Sequence, residues 1–299
     1  MVAGIYPAVM TAYNNRGDVD LDATLNLVER LLGAGVHGLF IGGTAGEGPI
    51  QSVDERASLV TAITDHVAGR IPILAHVGAM PFRDTVLLAR KALDEGVAGV
   101  AAIPPLYYNV NADAVADYFR ALSRELGRPV MAYHVPHLTH RPAAAPWFAQ
   151  LAAEGVLDGV KYSADDLADI QDLIERTSGT DFQLLSGSDP LCMAARLAGS
   201  AGAVGVSINA MPATFVALWN AVDAGDLAEA ARLQAVITRF VTRMFNYDFI
   251  GYLRHVLSLQ GVPVGQNRPP LPRLTGEQED EITRFVSGDP DLATAFGLS

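Results

Sequence analysis

Lys161 is one of only two lysines in a 299-residue chain that carries 19 arginines, and it closes an apolar run, LDGVKYS. A lysine on a buried strand must hold its ammonium group in low dielectric, which is costly unless the group is paired or loses its proton. The neutral amine is a nucleophile towards carbonyl carbon. The competing reading is a head group that reaches solvent at the strand end. A Schiff-base lysine also needs a proton carrier within hydrogen-bond reach, to dehydrate the carbinolamine and to shuttle a proton to the substrate. Tyr133 meets that need if another hydroxyl orients it, and Thr44 and Tyr107 are the hydroxyls nearest in the expected layout.

The segment Gly42-Gly43-Thr44-Ala45-Gly46-Glu47-Gly48-Pro49 is the densest glycine cluster. Glycines there allow positive φ and let backbone N–H groups approach an anion, so a carboxylate or phosphate could be held with help from the Thr44 hydroxyl. Glycine in such a loop can equally serve only to turn the chain. No Gly-Lys-Ser/Thr follows, so it is not a P-loop. Histidines 134, 137 and 140 form HVPHLTH, and His76 ends another apolar run. Pro136 breaks any regular ligand spacing, and no metal is expected. Asp189, after Ser186-Gly187-Ser188, either caps the next helix or accepts a hydrogen bond from a hydroxylated substrate. Cys192 reads as buried rather than reactive.

Eight apolar runs bounded by glycine or proline must position these residues: 5 to 13, 37 to 43, 71 to 78, 98 to 105, 128 to 136, 157 to 163, 182 to 188 and 202 to 209. Each precedes a segment of helical apolar spacing, and the runs lack in-and-out alternation, as a parallel sheet covered on both faces requires. Ser52 and Glu55 fit a capping box. Eight βα units in succession predict an α/β fold, a (β/α)8 TIM barrel, over residues 1–224. A doubly wound sheet is the alternative. Helices expected at roughly 213 to 223, 226 to 245, 248 to 260 and 275 to 287 make residues 225–299 a C-terminal helical extension packed on the barrel. Barrel active sites lie at the C-terminal strand ends. That filter selects Thr44, Tyr107, Tyr108, Tyr133, Lys161, Ser186, Asp189, Ser207 and Asn209, the last two placed on strand 8, and sends them to one mouth.

A formal net charge of −12 and a pI near 4.9, with no basic stripe, argue against nucleic acid as a partner. No run approaches the roughly 18 apolar residues of a membrane span, and MVAGIYPAVM lacks the charged start of a signal peptide. One cysteine excludes an internal disulfide. A soluble, cytoplasmic protein is expected.

Taken together, GGTAGEGPIQSVDER (42 to 56), PPLYYN (104 to 109), YHVP (133 to 136), GVKYS (159 to 163), SGSD (186 to 189) and GAVGVS (202 to 207) resemble the pyruvate-dependent class I aldolases and lyases, the dihydrodipicolinate synthase and N-acetylneuraminate lyase family. The resemblance implies a Schiff base between Lys161 and C2 of pyruvate, or of a 2-oxo acid that releases pyruvate, with no other cofactor. It implies Tyr133 as proton carrier, hydrogen-bonded to Thr44, and Tyr107 reaching the relay from a neighbouring subunit of a homotetramer built as a dimer of dimers. The Thr44-Ala45 backbone would hold the 2-oxo acid carboxylate, and Ser163, Gly187, Asp189 and Ser207 would contact a hydroxylated tail.

The departures from the family pattern bear on the substrate. Ala45 stands where a second hydroxyl residue is common, and His134 where asparagine is common. Leu138 replaces the arginine that a dihydrodipicolinate synthase uses for the carboxylate of its aldehyde, and losing a charged partner is worth a few kcal/mol. Arg141 is three residues farther on. Pro190 replaces a glutamate frequent in the sialic acid lyases. The expected activity is therefore an aldolase or lyase for a sugar-acid-like or aromatic 2-oxo acid. Dihydrodipicolinate synthase, a 2-keto-3-deoxy sugar acid dehydratase, a non-catalytic 2-oxo acid binding barrel and, third in rank, a metal-dependent aldolase are the alternatives.

Overall fold

The computed structural model describes residues 2–105, 107–140 and 143–298. Eight parallel strands alternate with helices in chain order: β1 (Gly4–Pro7), α1 (Leu21–Gly33), β2 (Leu39–Ile41), α2 (Val53–Val67), β3 (Ile73–His76), α3 (Phe82–Asp94), β4 (Gly99–Ala102), α4 (Ala112–Leu126) and β5 (Val130–His134). The short α5 (Pro136–Thr139) precedes α6 (Ala145–Ala153), and β6 (Leu157–Tyr162), α7 (Leu167–Arg176), β7 (Gln183–Ser186), α8 (Cys192–Leu197), β8 (Gly202–Gly205) and α9 (Pro212–Asp223) follow. Each strand pairs in parallel with its neighbours, β8 returns to β1, and a parallel bridge between Ala8 and Phe40 closes β1 onto β2. This is a (β/α)8 barrel. Of the residues in the eight strands only Asp158 and Gln183 are not buried, so strand composition rather than alternation carried the signal.

The strands are shorter than the apolar runs. Residues beyond Val9 leave the sheet, and the amide of Tyr13 donates to the carbonyl of Val264 in the C-terminal region. Ser207 and Asn209 likewise lie in a 3₁₀ turn after β8, not on the strand. Helix starts are set by caps: Asp20, Asn111, Asp166, Asp226 and Asp248 each accept a backbone N–H, and Ser52 and Glu55 form the expected reciprocal box.

After α9, which packs on β1, come α10 (Leu227–Met244), α11 (Phe249–Leu259), α12 (Gly276–Gly288) and α13 (Pro290–Phe296). Helix α10 packs on the turn after β7, and α11 on the turn after β8. The extension therefore braces the end of the barrel where the strands terminate. Its anchor is Arg254 on α11, whose guanidinium bonds Glu47 Oε1 at 2.5 Å, the Thr11 carbonyl at 2.8 Å, Asn267 Oδ1 at 3.1 Å and the Val264 carbonyl. Both side chains of the ion pair are buried. The second Glu47 oxygen accepts the Arg268 amide at 3.1 Å. Satisfied in this way, the pair is tolerated in low dielectric; with one partner removed, the survivor is a buried, uncompensated charge.

Arg254→Met should therefore lower the unfolding free energy by about 3 to 5 kcal/mol in denaturant titrations, whereas Arg16→Ala, at an exposed pair with Asp18, should leave the midpoint unchanged. Equal midpoints for the two variants would contradict this account of the extension.

Candidate active site

Tyr133 on β5 stands in register with Lys161 on β6. Their chain neighbours face the outer helices: the Tyr162 hydroxyl donates to Asp169 Oδ2 at 2.6 Å, and the His134 ring meets Phe148 of α6. Side chains alternate along a strand, so Tyr133 and Lys161 face the barrel interior. Lys161 is 2% exposed, and its Nζ lies 4.0 Å from the Tyr133 ring centroid and 4.2 Å from that of Phe40. Among the described residues no carboxylate lies within ion-pairing distance of it. Aromatic faces give an ammonium partial compensation for lost water, and they leave the amine open to a reactant. The Tyr133 hydroxyl meets Thr44 Oγ1 at 3.3 Å.

Thr44 and Ala45 sit in a turn folded back on itself, with Glu47 N donating to Thr44 O and Gly48 N to Gly43 O. Two glycines make this possible. Gly42 has φ +70°, and a Cβ on Gly48 would stand 2.0 Å from the Gly42 carbonyl oxygen. Glu47 adopts φ +55° without that freedom, held by Arg254. The amides of Thr44 and Ala45 donate to no protein acceptor among the described residues, so both are available to an anion at the mouth. Gln51 Nε2 secures the turn from below, through the Gly46 carbonyl and the Tyr13 hydroxyl, each at 2.8 Å.

His76 is a strut beneath this turn. Its Nε2 accepts the Ile103 amide at 3.3 Å, so Nδ1 carries the proton and donates to the Gly42 carbonyl at 3.0 Å. Burial and the adjacent Arg56 hold its pKa down to about 3. Arg56 itself binds the carbonyls of His76 and Gly78 at 2.6 and 2.8 Å.

Asp189 and Ser207 are committed to each other. Asp189 Oδ2 accepts the Ser207 amide at 3.0 Å and its hydroxyl at 2.6 Å, and burial pushes the carboxyl pKa up. Asp189 does not cap the following helix, and the Ser207 hydroxyl, its proton spent, can only accept from a ligand. Ser163 and Gly187 lie against each other, a Cβ on Gly187 falling 1.9 Å from Ser163 Oγ, so only glycine leaves room there. Asn209 is structural, tying the segment after β1 to the turn after β8 through Ala8 O, Met10 N and Val206 O. Ser186 is buried on β7, in register with outward-facing Tyr162, and takes no place at the mouth. Tyr107 does not converge on the mouth of its own chain. It is 77% exposed, edge-on to Tyr108, with centroids 5.2 Å apart.

His137 and His140 are exposed and His134 is buried, so the three do not form one cluster. Leu138 is 47% exposed on α5, and Arg141 lies outside the described residues. Cys192 is fully buried, which pushes its thiol pKa up. Sequence reasoning missed Phe40, Arg56, the Glu47–Arg254 pair and the neutral strut His76. An arginine inside the apolar helix FIGYLRHVLSL was the available signal for the pair.

Known proteins resemble this chain along most of its length. The model of the dihydrodipicolinate synthetase family matches residues 1–288. An N-acetylneuraminate lyase of Rhizobium meliloti is 30% identical over 90% of this chain and 89% of its own. A 4-hydroxy-tetrahydrodipicolinate synthase of Methanoculleus marisnigri is 29% identical over 96% and 99%. Among solved structures, an Escherichia coli prophage protein of the dihydrodipicolinic acid synthase family, in complex with pyruvate, superposes with TM-score 0.92 at 28% identity over 96% of this chain and 98% of its own. A Ruminococcus gnavus sialic acid aldolase does so with TM-score 0.92 at 26% identity over 99% of each. No described helix is long and apolar enough to cross a membrane. With a (β/α)8 barrel, a buried inward lysine and relatives named as lyases and aldolases across its whole length, the chain belongs to the dihydrodipicolinate synthetase family.

Proposed function

We propose that this protein is a class I aldolase or lyase in which Lys161 forms a Schiff base with pyruvate or with a 2-oxo acid that yields it. The observation that carries the reading is Lys161 Nζ, buried without a carboxylate partner among the described residues and 4.0 Å over the ring of a tyrosine that is hydrogen-bonded to Thr44. The Thr44 and Ala45 amides supply donors for the 2-oxo acid carboxylate, with the Thr44 hydroxyl beside them.

Nζ bonds to C2, and the carbonyl oxygen, protonated by way of Tyr133, leaves as water to give an iminium ion. In the cleavage direction the C3–C4 electron pair moves into the iminium, forming an enamine. The C4 hydroxyl proton passes to the Tyr133 oxygen, and C4 departs as an aldehyde. Protonation of the enamine at C3 and hydrolysis release pyruvate and restore the amine. The rings of Phe40 and Tyr133 flank the amine throughout.

The partner half of the substrate is sugar-acid-like or aromatic. Leu138 offers no cation to an aldehyde carboxylate, and Ser163 with the Asp189–Ser207 pair offers polar contacts to a hydroxylated tail. Tyr107, exposed in its own chain, serves the relay of a neighbouring subunit in a homotetramer. No metal or cofactor enters beyond the covalent lysine adduct.

Borohydride added in the presence of pyruvate should fix a mass increase on the Lys161 peptide; Lys91→Arg, which removes the only other lysine, should trap as the wild type does, and Lys161→Arg should not trap at all. A label on Lys91 alone would overturn the assignment. Tyr133→Phe should still form the adduct, but kcat for pyruvate release from a cleavable 2-oxo acid should fall by about 10²- to 10⁴-fold; unchanged kcat would remove Tyr133 from the relay.

A further inference from the structure

Asp189 takes the Ser207 hydroxyl proton and so aims the oxygen that a substrate tail would donate to. The carboxylate has little room to move, since a Cβ on Gly205 would fall 1.8 Å from Asp189 Oδ1. The two halves of the pair are braced unequally. The turn that carries Ser207 is held by the three bonds of the Asn209 side chain. Arg30 Nη1 adds a bond to the Asn209 carbonyl and Gln260 Nε2 one to the Ala210 carbonyl, each at 2.8 Å. The turn that carries Asp189 (Asp189–Leu191) starts without a side-chain cap and runs into α8. Among the described residues one side chain bonds to the backbone between Asp189 and Met193, and it comes from the extension: Gln234 on α10.

Gln234 Oε1 accepts the Met193 amide at 2.8 Å, and Nε2 donates to the Asp189 carbonyl at 3.1 Å. A backbone N–H only donates and a carbonyl only accepts, so this contact demands an acceptor and a donor on one planar group. A carboxamide supplies both. Glutamate would lack the donor, and leucine would lack both. Nε2 also donates to Thr238 Oγ1 at 3.3 Å, one turn along α10, which steadies the amide in that orientation.

We infer that Gln234 is a positioning residue for the substrate tail: through Asp189 it sets the hold of Ser207 on a tail hydroxyl and leaves the 2-oxo acid end alone. The inference rests on the proposed Schiff-base reading, with Ser207 as a tail contact. Gln234 makes no bond to Lys161, Tyr133 or the Thr44–Ala45 turn, so its loss reaches one half of the site. Released from α10, the Asp189 turn shifts, and a hydrogen bond weakens steeply once its geometry is lost.

The test is borohydride trapping on the full-length protein, which needs adduct formation and no turnover. Half-saturating concentrations are measured for pyruvate, which has no tail, and for 2-keto-3-deoxygluconate, whose tail carries hydroxyls. Gln234→Leu should raise the value for the tailed acid about tenfold, the worth of one hydrogen bond, and leave the value for pyruvate at that of the wild type. Gln234→Glu should move the ratio of the two values in the same direction, and it carries the comparison where Gln234→Leu does not fold. Ser207→Ala should change the ratio as Gln234→Leu does, and the double variant should go no further, because both act on one contact. An unchanged ratio, an equal rise for both acids, or additive effects in the double variant would overturn the inference. Failure of the wild type to trap pyruvate would overturn the Schiff-base reading, and this inference with it.

Discussion

An amine held on a strand that is buried on both faces is the constraint from which the rest of this structure follows. Lys161 gives up bulk water for the faces of two aromatic rings, with no carboxylate within ion-pairing distance among the described residues. Only a closed parallel sheet places such a residue in the interior, one strand from Tyr133 and across the barrel from Phe40. Lys161, Tyr133 and the Thr44–Ala45 turn then all fall at one end of the barrel, where loops can vary without disturbing the strands.

The turn that faces the amine is held from three directions. Glu47 reaches back to Arg254 on the extension, His76 and Arg56 hold the Gly42 side from β3 and α2, and Gln51 takes the Gly46 carbonyl. Every one of these contacts is made to a backbone carbonyl or a buried charge, the groups that most penalise being left alone. The helices after the barrel are thus part of the mouth. They supply the cation without which a carboxylate at position 47 could not be buried, and the left-handed backbone at Glu47 is sustained by that contact.

How much of this was legible in the sequence divides along physical lines. The eight strands and their helices were readable because fully buried strands are apolar throughout and helices announce themselves with caps. Strand ends were not, since the apolar run past Val9 continues into a segment that reaches the extension instead of the sheet. The turn Ser207–Asn209 was mistaken for strand because an apolar run does not record where hydrogen bonding changes partner. Lys161, Tyr133 and Thr44 could be assigned to one mouth from strand order alone. Pairings at long sequence separation could not: Glu47 finds Arg254 across 207 positions, and nothing local to either residue specifies the other. Asp189 was visible as an acid near the mouth, but its commitment to Ser207 was not. His134 was visible as a departure from pattern, but its packing against Phe148 and Tyr162 on the outward side of β5 was not.

The central claim is that Lys161 converts pyruvate to an enamine, and this can be examined without knowing the aldehyde. Enamine formation takes a proton from C3, and its reversal in D2O returns deuterium, so the methyl signal of pyruvate followed by proton NMR reports directly on the lysine. The account predicts catalysed loss of that signal with the wild type and only the uncatalysed background with Lys161→Arg, at equal folded content. Exchange by the Lys161→Arg variant at the wild-type rate would contradict it.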